Sequence, residues 1–473
     1  LAAGFNSLGI LLAGGAGRVM AHWIATGSPD VDVTEIDMAR TSPYQNNPDF
    51  LRARTSEIVG SMFWEPFPNR HYETGRDVRR SPFHEHMSAA GAFFGAYAGW
   101  EYPDWYAPEG VEPVVEYSYG RQNWFEYAAE EHRATRAGVT LMDYSVMGKL
   151  LVLGPDAQRE LNRICANDID VPVGKIVYTQ WLNRHGLIEA DLTVSRLAED
   201  RFIILSGAAT LTKLLAWMRR HFQPAANLRV TDISSTYSVL SLQGPKSRQV
   251  LSRLTSVDMS NAAFPYLRMQ EIDIGFAPVM AFRVSYVGEL GWELYIPTEF
   301  SDHVFGALVE AGEDLGLRFA GLQALDSLRI EKAYRDYGND VDNMDNPLEA
   351  GLARFVDFHK SGGFIGREAL LRMKEDGPPK YRFVQFLLED PEPLLHYGET
   401  IYRHGERVGY IRAGSYGHTL GAAVGLGFIE HQDGVTPEVV KGGEFEIDIA
   451  GKRYPAQASL RPMYDPKMVR VRS

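Results

Sequence analysis

Two short stretches of the chain carry carboxylates at spacings that can do chemistry. In residues 285–297, SYVGELGWELYIP, Gly288 and Gly291 bracket Glu289. A turn of that kind presents a carboxylate, which takes two parallel N–H donors bidentately, as it would an arginine. Glu293, in the strand that follows, is a second candidate acceptor; the plain alternative for Glu289 is a solvated hairpin side chain. In residues 183–197, NRHGLIEADLTVSRL, Glu189 and Asp191 stand two apart. In an extended chain they share a face. Asp191 then points into a cavity as a proton acceptor, or it serves as a turn or cap residue.

Three further stretches are weaker. GGAGR, residues 14–18, opens a predicted helix, where glycine N–H groups and the helix dipole can receive an anion. Arg70, His71, Arg76, Arg79 and Arg80 suggest an anion site or, more plainly, a solvated face with ion pairs between domains. Asp326, Arg329 and Glu331 read as helix ion pairs beside an apolar face of Leu322, Leu325, Leu328 and Ile330. No HExxH, cysteine cluster or paired-histidine spacing occurs, so no metal is expected.

The elements that must position these residues read as follows. Residues 1–40 give a Gly-rich loop, a helix at 18–26 and a short strand at 31–35. Residues 41–98 are rich in Arg, His and aromatics, with a helix at 84–97, and a Pro/Gly/Trp-rich linker follows at 100–113. Residues 120–365 alternate helical and strand patterns, an α+β reading. Within them lie helices at 125–137, 155–166, 301–315 and 322–334, a strand at 149–152, and hairpins pairing 192–197 with 202–205 and 279–285 with 292–296. Residues 380–465 show short strands and turns, a small barrel or jelly-roll-like module.

The 473 residues are enough for two to four domains. A hydrophobic fraction of 45% and a charged fraction of 23% are ordinary for a globular protein. The net charge of -13 argues against nucleic-acid and anionic-membrane partners, which need a basic face. The single cysteine, Cys165, cannot form an intramolecular disulfide and fits a reducing compartment as a buried thiol. No membrane span or signal peptide is expected, because the most apolar stretch, 4–25, is broken by glycines, Arg18 and His22.

Several of these strings resemble known families, in order along the chain. Residues 4–24, GFNSLGILLAGGAGRVMAHWI, are similar to the last flavin-contacting loop and helix of the dimethylglycine and sarcosine dehydrogenases, and 68–95 resemble their central linking domain. Residues 161–197, 285–297, 321–356, 413–429 and the closing RPMYDP at 461–466 resemble the glycine-cleavage T-protein. The resemblance implies a T-protein-like folate-binding α/β module at 99–370 and a C-terminal β-barrel at 375–467. Before them it implies a linking domain at 41–98 and the end of an FAD domain at 1–40. It implies tetrahydrofolate as ligand, with Asp191 at the N5–N10 centre, Glu289 on the pterin, and Glu293 and Tyr464 lining the site. Ser7, Gly9, Gly14, Gly15, Ala16 and Gly17 would be a flavin-contacting remnant, with FAD belonging to the complete enzyme and not held by this chain. Two positions depart from the T-protein pattern: Leu325, where T-proteins carry an arginine, and Ile203, where they place a tyrosine. The implied activity is capture of an iminium, made from an N-methyl amine, on tetrahydrofolate to give 5,10-methylene-tetrahydrofolate. A free-standing aminomethyltransferase and a non-catalytic folate-binding or scaffold protein are the alternatives. Partners are then a small amine and a reduced folate, with a homo-oligomer admitted. The implied compartment is the bacterial cytoplasm or the mitochondrial matrix.

Overall fold

A computed structural model describes residues 2–5, 8–33, 36–62 and 64–473. Two antiparallel sheets form its centre. One has six strands, in the order Met269–Ile274, Ala277–Phe282, Gly291–Pro297, Tyr237–Gln243, Thr140–Asp143 and Arg318–Phe319, and only its last pair is parallel. The other has five, in the order Ile176–Leu182, Ile188–Ala198, Arg201–Ser206, Gly148–Leu153 and Arg229–Asp232.

Strand alternation sends each sheet's side chains two ways. Ala190, Leu192 and Val194 pack on the helices Ala157–Ile164 and Leu211–His221. Leu290, Trp292, Leu294 and Ile296 pack on Ser247–Leu254 and Ser301–Gly312. The opposite faces meet in a shared layer that includes Met142, Val239, Phe282 and Tyr295 from one sheet and Ile176, Ile203 and Leu205 from the other. The result is four layers, helix–sheet–sheet–helix, so the α+β expectation holds. Six further strands, from Tyr381–Leu388 to Lys452–Ser459, close a barrel. The helix Leu322–Glu331 packs on that barrel and on the helix Phe125–Ala137.

Four local expectations are corrected. Gly14, Gly15 and Gly17 do not open a helix but lie inside one, Gly9–Thr26, which ends where Gly27 turns left-handed. The expected helix at 84–97 stops at Ala89, and Ala92–Tyr97 is a strand. The expected linker at 100–113 is largely its partner strand, Trp100–Tyr106, joined through Ala98 and Gly99, both at positive φ. That is the geometry of a two-residue hairpin turn. Pro103, which suggested a loop, sits at the register shift opposite Phe94, where a missing N–H is tolerated. Residues 31–33 form no strand, and Thr34 and Glu35 lie outside the described residues.

Candidate active site

Asp191 lies on the strand Ile188–Ala198, directly opposite Gln180 in the register of Ile176–Leu182. Its neighbours Ala190 and Leu192 face the helices, so Asp191 faces the other way, into the space between the sheets. Tyr178 donates to its Oδ2 at 2.7 Å and Gln180 to its Oδ1 at 2.7 Å. Among the described residues no cation lies within ion-pair distance of it, and Arg335 acts on it from farther off. Burial pushes its carboxyl up to about 7, and the bonds from Gln180 and Tyr178 pull only partly back. Glu189 shares its face, as the alternation predicts, but is spent on Lys213 at 3.1 Å and Asn183 at 3.1 Å.

Glu293 enters the same space from the other sheet. It stands on Gly291–Pro297 opposite Phe282 and Ser241, two residues from Tyr295 of the shared layer. Tyr295 donates to its Oε2 at 3.1 Å, and it has no ion pair within bonding distance. Burial pushes it, too, up to about 7, with Lys149 drawing it down from farther off. Between the two carboxylates runs a row of interacting tyrosines. Tyr178 feels Tyr286, Tyr286 stacks on Tyr334 at 5.9 Å, and Tyr334 and Tyr266 interact beside Glu293. Phe355 stands edge-on to Tyr178 at 4.6 Å. Two carboxyls poised near neutrality, facing a polar aromatic wall, suit proton exchange with a flat heterocycle that carries N–H groups.

Glu289 does not fit the role expected of it. The turn does present it, with Gly288 at φ +86°, but inward: the residue is 1% exposed. Its Oε1 accepts from Arg136 at 3.2 Å and, at very short range, from the Tyr464 hydroxyl. Arg136 lies 3.8 Å over the Tyr464 ring and also binds Glu331 at 2.8 Å. Burial raises the Glu289 carboxyl, against the pull of Tyr464 and Arg136. A pterin edge could take this carboxylate only by leaving Arg136 short of a partner. Tyr464 is half-buried, its hydroxyl committed to Glu289.

Of the expected flavin-contacting residues, Ser7 lies outside the described residues. Gly9 and Ala16 are half-buried, and Gly14, Gly15 and Gly17 are exposed. Inside a helix the N–H groups of Gly14, Gly15, Ala16 and Gly17 serve the i−4 carbonyls and cannot cradle a phosphate, while Gly9 stands at the helix start. This stretch therefore offers no phosphate cradle within its helix. The arginines at 70–80 are absorbed locally: Arg76 by Glu101, Arg80 by Asp77 and Glu85, Arg79 over Trp100 and Arg70 over Trp64. No His/Cys/Asp/Glu group suited to a metal occurs among the described residues, and no helix is long and apolar enough to cross a membrane.

A cavity of about 920 Å³ opens between the linking segment, the helix Leu322–Glu331 and the barrel. Asp104, Asp326, Asp336 and Asp342 line it with Arg329 and Arg412. Each of these two guanidiniums is matched by two carboxylates, Arg329 by Asp326 and Asp340, Arg412 by Asp342 and Asp345. The turn at 336–341 separates this cavity from Asp191: Asp336 lines the cavity, while Asp340 and Tyr337 act electrostatically on Asp191 or feel it.

Tyr178, Gln180, Tyr286 and Tyr334 were not singled out from the sequence. Only period-two alternation across from Asp191 hinted at the first two.

Three family models match successive parts of the chain. Residues 83–360 match the GCVT N-terminal domain, 382–465 the glycine cleavage T-protein C-terminal barrel domain, and 26–81 the FAD dependent oxidoreductase central domain. Over all of its length the chain is 44% identical to a 4-methylaminobutanoate oxidase (formaldehyde-forming) of Paenarthrobacter nicotinovorans and 34% identical to human mitochondrial sarcosine dehydrogenase. In each case it covers 56% of the relative, so it spans about half the length of these proteins. An aminomethyltransferase of Halothermothrix orenii is 37% identical over 65% of the chain and 84% of its own length. The solved aminomethyltransferase T of the Bartonella henselae glycine cleavage system superposes with a TM-score of 0.69 at 25% identity, over 82% of this chain and 99% of that one.

Proposed function

The chain belongs to the glycine cleavage T-protein family, in the type joined to the central domain of FAD-dependent oxidoreductases, and on that premise we propose that it captures a one-carbon iminium on tetrahydrofolate. The observation that carries this reading is the pair of buried carboxyls Asp191 and Glu293, one on each sheet, bonded by Tyr178, Gln180 and Tyr295 and, among the described residues, by no cation within ion-pair distance. A pterin's 2-amino group and ring N3–H match a carboxylate edge. We assign that edge to Glu293, because Glu289 is occupied. Asp191 then receives the proton that N10 loses as it closes the five-membered ring onto the iminium carbon.

The cavity beside the 336–341 turn suits the incoming cation. Its guanidiniums are outnumbered by carboxylates, so a positive iminium is stabilised there. The oxidation that makes the iminium is not assigned to the residues present. A second reading, a free-standing aminomethyltransferase, is favoured by the superposition on the Bartonella henselae protein. It leaves residues 26–81, matched to the oxidoreductase central domain, without a role.

Titration calorimetry with tetrahydrofolate tests the assignment. Glu293→Gln is expected to weaken binding by about 2–3 kcal/mol, the range for losing a charged hydrogen-bond partner. Asp191→Asn is expected to bind nearly as the parent does. Unchanged affinity in Glu293→Gln removes the pterin from that carboxylate.

A further inference from the structure

Both hydrogen bonds to Asp191 come from one strand, and the two donors sit on different carboxylate oxygens. The Tyr178 hydroxyl holds Oδ2 and gives or takes a bond there by rotating about one C–O torsion. Gln180 carries a donor and an acceptor at the two ends of one amide. It is fully buried, its Nε2 donates to Asp191 Oδ1 at 2.7 Å, and its Oε1 has no hydrogen-bond partner among the described residues.

A glutamine kept for structure is held at both ends, since an unmet buried polar atom is costly. This one is held only by Asp191. Nothing at its far end favours one orientation of the amide, and a half-turn about the last torsion brings Oε1 to Asp191 in place of Nε2. We propose that Gln180 is a positioning residue for proton transfer, donating to Asp191 when it is ionised and turning over to accept from it when it is protonated.

The inference rests on Asp191 being the proton acceptor, and the step balances. Tetrahydrofolate brings two N–H bonds. N5 and N10 each bond to the iminium carbon, and the amine leaves with the electron pair of its broken C–N bond. One of the two protons departs on the amine. The other breaks from N10, its electron pair staying on nitrogen, and forms an O–H bond at Asp191 Oδ1. Gln180 Oε1 then accepts that O–H, so the acid stays in place until solvent takes the proton. The other charged or titratable groups acting on Asp191 are Tyr178 beside it and Arg335, Tyr337 and Asp340 from the segment after the helix Leu322–Glu331. Of these, the Tyr178 hydroxyl can both give and take a bond, but it sits at Oδ2, which leaves Gln180 as the group that can do so at Oδ1.

Infrared titration of this chain, with the Asp191 carboxyl band isolated by subtracting Asp191→Asn, tests the proposal. In Gln180→Met the protonation midpoint is expected to rise by about one pH unit, because the charged form loses a donor. The protonated C=O band is expected to move to higher frequency, because the acid loses its acceptor. If the Met variant does not fold, Gln180→Asn, which withdraws the amide by one methylene, should move both readouts in the same directions. A midpoint and band identical to the parent's in the folded variant overturn the proposal. Failure of the underlying reading shows elsewhere: with the iminium supplied by a flavin-dependent N-methyl amine dehydrogenase in the same mixture, Asp191→Asn would then still form methylene-tetrahydrofolate at the parent rate.

Discussion

At the scale of single residues, three glutamates sort by their partners. Glu331 has no exposed surface and accepts from Arg136 at 2.8 Å and from the Thr419 and Leu420 amides. Burial opposes its ionisation, but His132 and Arg136 overcome it and hold it down at about 2. Glu289 is spent on the same arginine. Glu293 has only a tyrosine. Glu289→Ala is therefore expected to lower stability in urea melts by about 2–3 kcal/mol while leaving folate affinity near the parent's. The raised carboxyls make a prediction of opposite sign to ordinary acids. Asp191 and Glu293 titrate near 7 in the fold and near 4 when unfolded, so between those values the folded chain holds more protons. Stability they contribute is lost as pH rises from about 4 to about 7. Glu293→Gln should accordingly raise the melting temperature at pH 8 and leave it unchanged at pH 4. A gain of equal size at both pH values would mean that Glu293 is not held in a raised state.

At the scale of elements, two glycine stretches that look alike in sequence behave differently. In the helix Gly9–Thr26, a Cβ added at Gly14, Gly15 or Gly17 meets nothing within 4 Å. Gly15→Ala should strengthen that helix by about 1 kcal/mol, read as increased helical circular dichroism, with no change in folate binding. At Gly288, φ is +86° and a Cβ would stand 2.3 Å from the Lys332 side chain. Gly288→Ala strains the turn and displaces a lysine that reaches Asp465. The expected outcome is lost stability and, because the turn leads into the strand that carries Glu293, weakened folate binding in the same calorimetric titration. The helix Phe125–Ala137 and the main hairpins were legible because their apolar periods are undisturbed. The strand Trp100–Tyr106 was not, since a bulge that tolerates proline has no local signature.

At the scale of the whole molecule, one buried cluster ties the pieces together. Arg136 comes from the helix Phe125–Ala137, Glu289 from the turn before Glu293, Glu331 from the end of Leu322–Glu331, Thr419 from a barrel turn and Tyr464 from the tail. Removing one partner leaves a buried charge uncompensated. Glu331→Gln should cost about 3–5 kcal/mol and expose the segment joining barrel and sheets to limited proteolysis. The linkage here has the ordinary sign, because the folded carboxyl is depressed. Its contribution is complete above the usual carboxylate range and is lost as pH falls through about 2.

The sequence by itself determined the α+β class, the barrel, the main hairpins and the face on which Asp191 stands, because these follow from alternation and turn chemistry along one segment. It also marked a turn that presents Glu289 and a strand that carries Glu293. Which of the two faces the candidate site was decided only in three dimensions. An arginine 153 residues upstream of Glu289 and a tyrosine 175 residues downstream converge on its carboxylate, while Glu293, four positions later, meets only Tyr295, two residues along its own strand. Pairing across such separations leaves no trace in local spacing. The same holds for Gln180, whose role rests on register with Asp191 and on the lack of a partner at its far end, facts that exist only once the strands have paired.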